Sequence, residues 1–448
     1  MKTDVYDFIG IGLGPFNLSL ACLAEPIEEL SGVFLERNAE FCWHPGMLID
    51  HTTLQNPFLA DLVSLADPCS RYSFLNYCKA QGNIYSYYFR ESFYLTRAEF
   101  NEYCRWAAAQ LSNVRFGHEV RDIVYDAQLA CYVLRGVSTT GDGEVPFVLR
   151  ARKLVLGVGS RPAFPACCQE GGKDSGHRYC HSADYLLAKE SLQRKRSITI
   201  LGSGQSAAEI FHDLLAEIDA HDYSLTWITR APRFFQMETT KLTLEMFSPD
   251  YIDYFHALDE TRKERVVGAQ DCLYKGVNAS LINRIYDMLD ERRLAEQRGQ
   301  GTQRARLVTN CEMQGCRYDA ASDSYEVDLR QLDQGGRYRH RCEGLVLATG
   351  YRENIPPFLD GIRHRLRFDG KGRYALARNY SADLQGNEVF VQNAGQHSHG
   401  ATNQDLGMSC YRNSYILREL TGVEHYRIEQ RVALQDFAIP AGADFVPM

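Results

Sequence analysis

Several things are missing from this 448-residue sequence, and each absence narrows what the chain can do. It carries 14 cysteines but no C-x-x-C pair, and Cys167 and Cys168 are adjacent. A flavin-dependent disulfide reductase needs a redox pair of that kind, so the spacing argues against one. The same scatter gives neither a disulfide framework nor a zinc site and reads as buried, reduced thiols. There is no excess of positive charge: 49 Lys and Arg face 57 Asp and Glu, for a net charge of −8. That balance argues against a general nucleic-acid or anionic-membrane binder. The cluster Arg194-Lys195-Arg196 then reads as the solvated end of an element. No apolar run approaches the ~18 residues that span a bilayer, and no basic-then-apolar leader precedes the first strand pattern. A cytoplasmic globular protein is expected, long enough for two or three domains.

What is present begins at once. Val5, Phe8 and Ile9 end a buried strand, Gly10, Gly12 and Gly14 follow, and Asn17-Leu18-Ser19-Leu20 opens a helix. A strand, a glycine turn and a helix N-terminus make a cradle for a pyrophosphate. The third glycine of G-x-G-x-x-G is replaced by Pro15, which suits the first helical turn because the N–H it lacks has no helical partner there. The strand Val33-Phe34-Leu35 ends in Glu36, about 20 residues on, where a carboxylate reads a ribose hydroxyl. A second cradle follows strand 197–201, with Gly202, Gly204, Gln205, Ser206 and Ala207 as G-x-G-x-x-A. Its partner strand ends in Arg230, which suits the 2′-phosphate of NADP; the alternative is a solvated strand-end charge. One acidic and one arginine-tailed cradle select FAD and NADPH, and the pair implies hydride transfer to a flavin followed by flavin chemistry. No Ser-His-Asp set or carboxylate pair is needed beside it. His397 and His399 alternate without a third ligand, so no metal is expected.

The expected fold is α/β with two Rossmann-like domains. The FAD domain takes residues 1–190 and 340–448. The NADPH domain, 191–339, is inserted in it and carries a small helical region near 245–300 that closes over the substrate. Thr96 with Glu99 reads as a capping box, and 405–420 as a closing helix that carries Arg412 and Asn413. The loop Phe41-Cys42-Trp43-His44-Pro45-Gly46-Met47 has two readings, a packed core segment or a wall against a planar cofactor ring.

Taken together, Gly10 to Leu18 with its Gly-Pro-x-Asn-Leu variant, Trp43-His44-Pro45-Gly46-Met47, Gln55 to Asp61, Gly202 to Ala207, Ala348-Thr349-Gly350-Tyr351 and His399-Gly400 resemble the N-hydroxylating flavin monooxygenases of siderophore biosynthesis. That family includes lysine, ornithine and diamine N-hydroxylases, and the resemblance covers nearly the whole chain. It implies that NADPH reduces FAD, that O2 adds to give a C4a-hydroperoxyflavin, and that a neutral primary amine takes the distal oxygen. It also implies a homo-oligomer, dimer or tetramer, with no nucleic-acid or membrane partner. Cofactor contacts are expected from Gly10, Gly12, Gly14, Pro15, Asn17, Leu18, Glu36, Trp43, His44, Met47, Gln55, Gly202, Gly204, Gln205, Ser206, Ala207, Arg230, Thr349 and Asp405. Gln55 is also the expected catalytic hydrogen-bonder, on the flavin or peroxyflavin side.

The resemblance further implies how the substrate is chosen. Amino-acid hydroxylases of the family read Gln-x-x-Phe-Leu-Lys-Asp, and their lysine holds the substrate's α-carboxylate. Here the segment is Gln55-Asn56-Pro57-Phe58-Leu59-Ala60-Asp61. Burying a carboxylate without its cation is costly, so Ala60 favours a carboxylate-free diamine, putrescine or cadaverine. If Lys275 supplies the cation instead, the substrate is L-lysine. Tyr274, Asn278 and the acids between 245 and 271 are candidates for the remote ammonium. A flavin- and NADPH-binding redox sensor is the non-enzymatic alternative.

Overall fold

The computed structural model describes residues 5–140, 143–168, 179–439 and 445. Strand Val5–Ile11 lies between Gly32–Leu35 and the C-terminal half of Gly143–Leu156, parallel to both. Val389–Val391 pairs on the far side of Gly143–Leu156, also in parallel. Side chains alternate faces along a strand, and here the alternation divides two cores. Phe8, Phe34, Val155 and Phe390 join the helix Pro15–Ala24 on one face. Ile9, Ile11, Val33, Leu35, Leu154 and Leu156 fill the other. This is why the strands read as continuous apolar runs. The N-terminal half of Gly143–Leu156 continues as an antiparallel meander with Cys131–Thr140 and His118–Asp126.

A second, five-stranded parallel sheet runs in the order Cys180–His181, Gly344–Leu347, Ser197–Leu201, Ser224–Ile228, Ala305–Val308. Helix Gln205–Ala216 packs one face of it through Ala207, Ala208, Ile210, Phe211, Leu214 and Leu215. The antiparallel sheet of Cys311–Asp319, Ser324–Gln331 and Arg337–Cys342 supplies Val327 and Leu329 to the other face. The chain crosses between units where Ser160–Pro162 pairs with Tyr351–Glu353. Strand pairing therefore moves the exchange points away from 190 and 340. Cys180–His181 already belongs to the second sheet and Gly344–Leu347 still does, because that buried apolar strand is central in it.

Residues 249–297 are helical, as Pro249–Ala257, Glu260–Ala269, Asp271–Tyr274 and Ala279–Gln297. The C-terminal tail fastens the first of these: Val432 and Ala433 donate backbone N–H groups to Asp250, and Leu434 and Gln435 to Glu245. Thr96 and Glu99 form the capping box of helix Arg97–Ala108. The closing helix is Ser409–Thr421 and does not start at Asp405, whose side chain instead caps the short turn Leu406–Met408 by accepting the Gly407 N–H. Among the described residues no helix is long and apolar enough to cross a membrane.

Candidate functional site

The three glycines of the first cradle do three different jobs. A Cβ on Gly10 would fall 2.2 Å from the Phe34 ring, so Gly10 lets the two strands close. Gly12 sits at φ +84, and a Cβ there would meet the Gly157 carbonyl at 2.5 Å. Gly14 caps the helix with no side-chain hydrogen bond, and a Cβ there would meet nothing within 4 Å. The space in front of this helix N-terminus is thus open, as a pyrophosphate requires. Pro15 takes the first helical turn. Buried Asn17 donates to the Gly12 carbonyl at 2.7 Å and fixes the turn. Leu18 is fully buried in the core beneath and supports the cradle without facing it. Glu36 accepts the Leu13 N–H at 2.8 Å and the Asn38 N–H at 2.9 Å, so strand end and glycine loop are tied by one carboxylate.

The second cradle repeats the logic. Gly202, at φ +143, would drive a Cβ to 2.2 Å from the Ala348 carbonyl. Gly204 caps its helix without a side chain, and only the Lys275 carbonyl, at 3.5 Å, lies near its open side. Ala207 is buried where helix meets sheet. Ser206, in the helix's first turn, is half-buried, and Arg230 stands exposed at the end of Ser224–Ile228. Both cradles fit a dinucleotide.

Beside the second cradle lies Gln55, on strand Thr53–Pro57, whose Nε2 is 3.3 Å from Gln205 Oε1. Its neighbour Asn56 hydrogen-bonds Asp405, whose carboxyl burial pushes above its ordinary range. Ala60 is only 7 % exposed. Asp61 accepts four bonds, from the Val63, Ser64 and Phe74 N–H groups and the Ser64 hydroxyl, so it organises this loop.

Several expectations change. Met47 does not face the first cradle; it is buried with Ile49 and Tyr185 in the second unit's core. A Cβ on Gly46 would lie 1.9 Å from the Ala183 carbonyl, so the Trp-His-Pro-Gly-Met loop is the piece that docks the units. Trp43, packed edge-on to Phe100, and His44 lie at its start, where burial and the nearby Arg97 lower His44 to about 4. Thr349 donates its hydroxyl to the Ala163 carbonyl, which pins the crossing. Lys275 does not offer a free cation, since its ammonium is 2.7 Å from Asp271, which also takes the Tyr274 hydroxyl at 3.1 Å. Asn278 caps Ala279–Gln297 and donates its N–H to Gln205 at 2.9 Å. Of the acids between 245 and 271, Asp253 pairs with Arg378 and Glu264 with Lys371 and Arg373, and Glu245 and Asp250 hold the tail. Sequence reasoning missed Arg97 and Glu209, which pair across the units at 3.2 Å. A glutamate one helical turn beyond Gln205 was the only signal.

A family profile described as L-lysine 6-monooxygenase/L-ornithine 5-monooxygenase matches residues 4–353. The chain belongs to that family. It is 54 % identical over 441 residues to an alcaligin biosynthesis enzyme of Bordetella pertussis, covering 98 % of this chain and 93 % of the relative. It is 45 % identical over 434 residues to a putrescine N-hydroxylase of Shewanella oneidensis, covering 97 % and 84 %. The FAD-bound cadaverine monooxygenase of the desferrioxamine pathway of Erwinia amylovora superposes with a TM-score of 0.93 at 50 % identity, covering 98 % of this chain and 99 % of that one. The chain is thus a flavin-dependent N-monooxygenase, and its cofactors are FAD and NADPH.

Proposed function

We propose that the enzyme N-hydroxylates one amine of a primary aliphatic diamine, cadaverine or putrescine, toward a hydroxamate siderophore. The observation that carries the choice is Ala60, a buried methyl where a carboxylate-binding lysine would stand, with the substitute cation Lys275 already engaged by Asp271. A carboxylate brought there would be desolvated without a partner. Relatives named for putrescine and cadaverine support the same substrate class.

In this reading the first unit holds FAD at Gly14 and Glu36 and the second holds NADPH at Gly204 and Arg230. Bound FAD, reduced by NADPH, supplies the activation of O2. The protein's part is to hold a neutral amine. An alkylamine has pKa near 10.4, and a dry site favours loss of its proton. His44, His181, His256 and His399 all have pKa values lowered by burial, so these four imidazoles add no positive charge to the interior. We place the enzyme in the cytoplasm, as a dimer or tetramer, with O2 as co-substrate.

The test is hydroxylamine formation, assayed in parallel on putrescine, cadaverine, lysine and ornithine. Product from the diamines is expected. Product from lysine or ornithine alone would sink the reading of Ala60, and NADPH oxidation without hydroxylamine from any amine would sink the reaction itself.

A further inference from the structure

The two units are joined by side chains that neither cradle motif needs. Gln205 Oε1 accepts from Gln55 Nε2 at 3.3 Å and from the Asn278 backbone N–H at 2.9 Å. Gln205 Nε2 donates to Glu209 Oε1 at 2.9 Å. Glu209 is 1 % exposed, and the same oxygen takes Nε and Nη2 of Arg97, from the first unit, at 3.3 and 3.2 Å.

A glutamine amide has a donating end and an accepting end, and its neighbours decide which way it faces. A carboxylate accepts, so the Gln205 NH2 must face Glu209. A backbone N–H donates, so the Gln205 oxygen must face Asn278. Both constraints give one orientation, and it presents an acceptor to Gln55. Gln55 then turns its own NH2 toward Gln205 and leaves its carbonyl oxygen for the other side. Among the described residues no protein group donates to that oxygen.

Stability does not account for the buried pair that starts this chain. Among the described residues Glu209 Oε2 has no hydrogen-bond partner, and a half-satisfied buried ion pair is typically no better than apolar side chains of the same volume. Amide orientation does account for it. A carbonyl oxygen beside the reacting amine accepts one of its N–H bonds and leaves the nitrogen lone pair free. An NH2 in the same place donates to that lone pair and blunts the nucleophile.

We propose that Glu209, held by Arg97, is a positioning residue that acts through Gln205 to keep the Gln55 carbonyl turned toward the amine. The proposal rests on the diamine N-hydroxylation reading above and takes Gln55, the expected catalytic hydrogen-bonder, to face the amine.

Glu209→Gln keeps the shape but can show either end to Gln205. At saturating NADPH it is expected to lower hydroxylamine formed per NADPH about tenfold, through kcat more than through the amine KM. Gln205→Met cuts the relay and leaves Arg97 paired with Glu209, so a fold disturbed by an unpaired arginine cannot explain a matching loss. In a Gln55→Met background neither change should cost anything further, and the thermal midpoint shifts of Glu209→Gln and Gln55→Met in the apoprotein should fail to add. Full coupling in either relay variant, losses that multiply with Gln55→Met, or additive midpoint shifts overturn the proposal. A wild-type enzyme that makes no hydroxylamine from any amine overturns the functional reading instead, and the two failures are distinct.

Discussion

Replacing Ala60 by lysine restores the cation of the amino-acid hydroxylases and should reverse the substrate preference. The backbone around position 60 is fixed. The Ala60 N–H donates to the Pro57 carbonyl at 2.9 Å, and the four bonds accepted by Asp61 hold the next residue. A new side chain must therefore project from a stationary point. Two unit charges about 5 Å apart at an effective dielectric near 20 interact by about 3 kcal/mol, or roughly two powers of ten. Ala60→Lys should cut diamine kcat/KM about a hundredfold by like-charge repulsion, and raise turnover of lysine or ornithine through the same interaction with opposite sign. Ala60→Met is the control, since it has nearly the same length and no charge. Steady-state hydroxylamine assays on all four amines read the result. Equal losses in the lysine and methionine variants would show a steric effect, and unchanged diamine kinetics would show that position 60 does not face the substrate. Either result refutes the electrostatic reasoning.

Two further outcomes follow from the site. Arg230→Ala should raise the KM for NADPH about tenfold, the scale of one lost charge-assisted contact to a phosphate, and leave the KM for NADH unchanged; equal effects on both would deny Arg230 the 2′-phosphate. Burial holds His44 near 4, against about 6.5 when unfolded, so the unfolded chain binds more protons between those values. Stability should fall as pH drops through 6.5 and stop falling below 4, a loss of about 2 kcal/mol between pH 7 and 5 from this one group. Urea denaturation of the apoprotein should show that slope reduced in His44→Gln, and an identical slope would place the titrating group elsewhere.

Both cradles were legible because their information is local. Gly12 and Gly202 need a positive φ and a close approach, and Pro15 needs a helix start; each demand is met within a few residues of chain. The capping box at Thr96 was legible for the same reason. The exchange points were not, because an apolar strand such as Gly344–Leu347 has the same composition in either sheet, and only its pairing with Ser197–Leu201 assigns it. Met47 misled for a related reason. Its loop follows the ribose-reading strand, so proximity in sequence suggested the first cofactor, while the side chain crosses into the other unit's core.

The substrate side of the site shows where local reading stops. Tyr274, Lys275 and the nearby acids looked available as a list of charges, yet almost every acid has a partner that lies far off in sequence or is itself charged. Asp253 meets Arg378 and Glu264 meets Lys371, each more than a hundred residues away. Lys275 is paired with Asp271 in the helical turn before it. What these pairings leave is a helical region whose charges are largely paired, beside the amides of Gln55 and Gln205. A carboxylate buried near Ala60 would then be desolvated with Lys275 already paired, whereas a charged amine can be met by carbonyl oxygens and aromatic faces. The proposed preference for a diamine thus rests on what the fold has already used up as much as on the single methyl at Ala60.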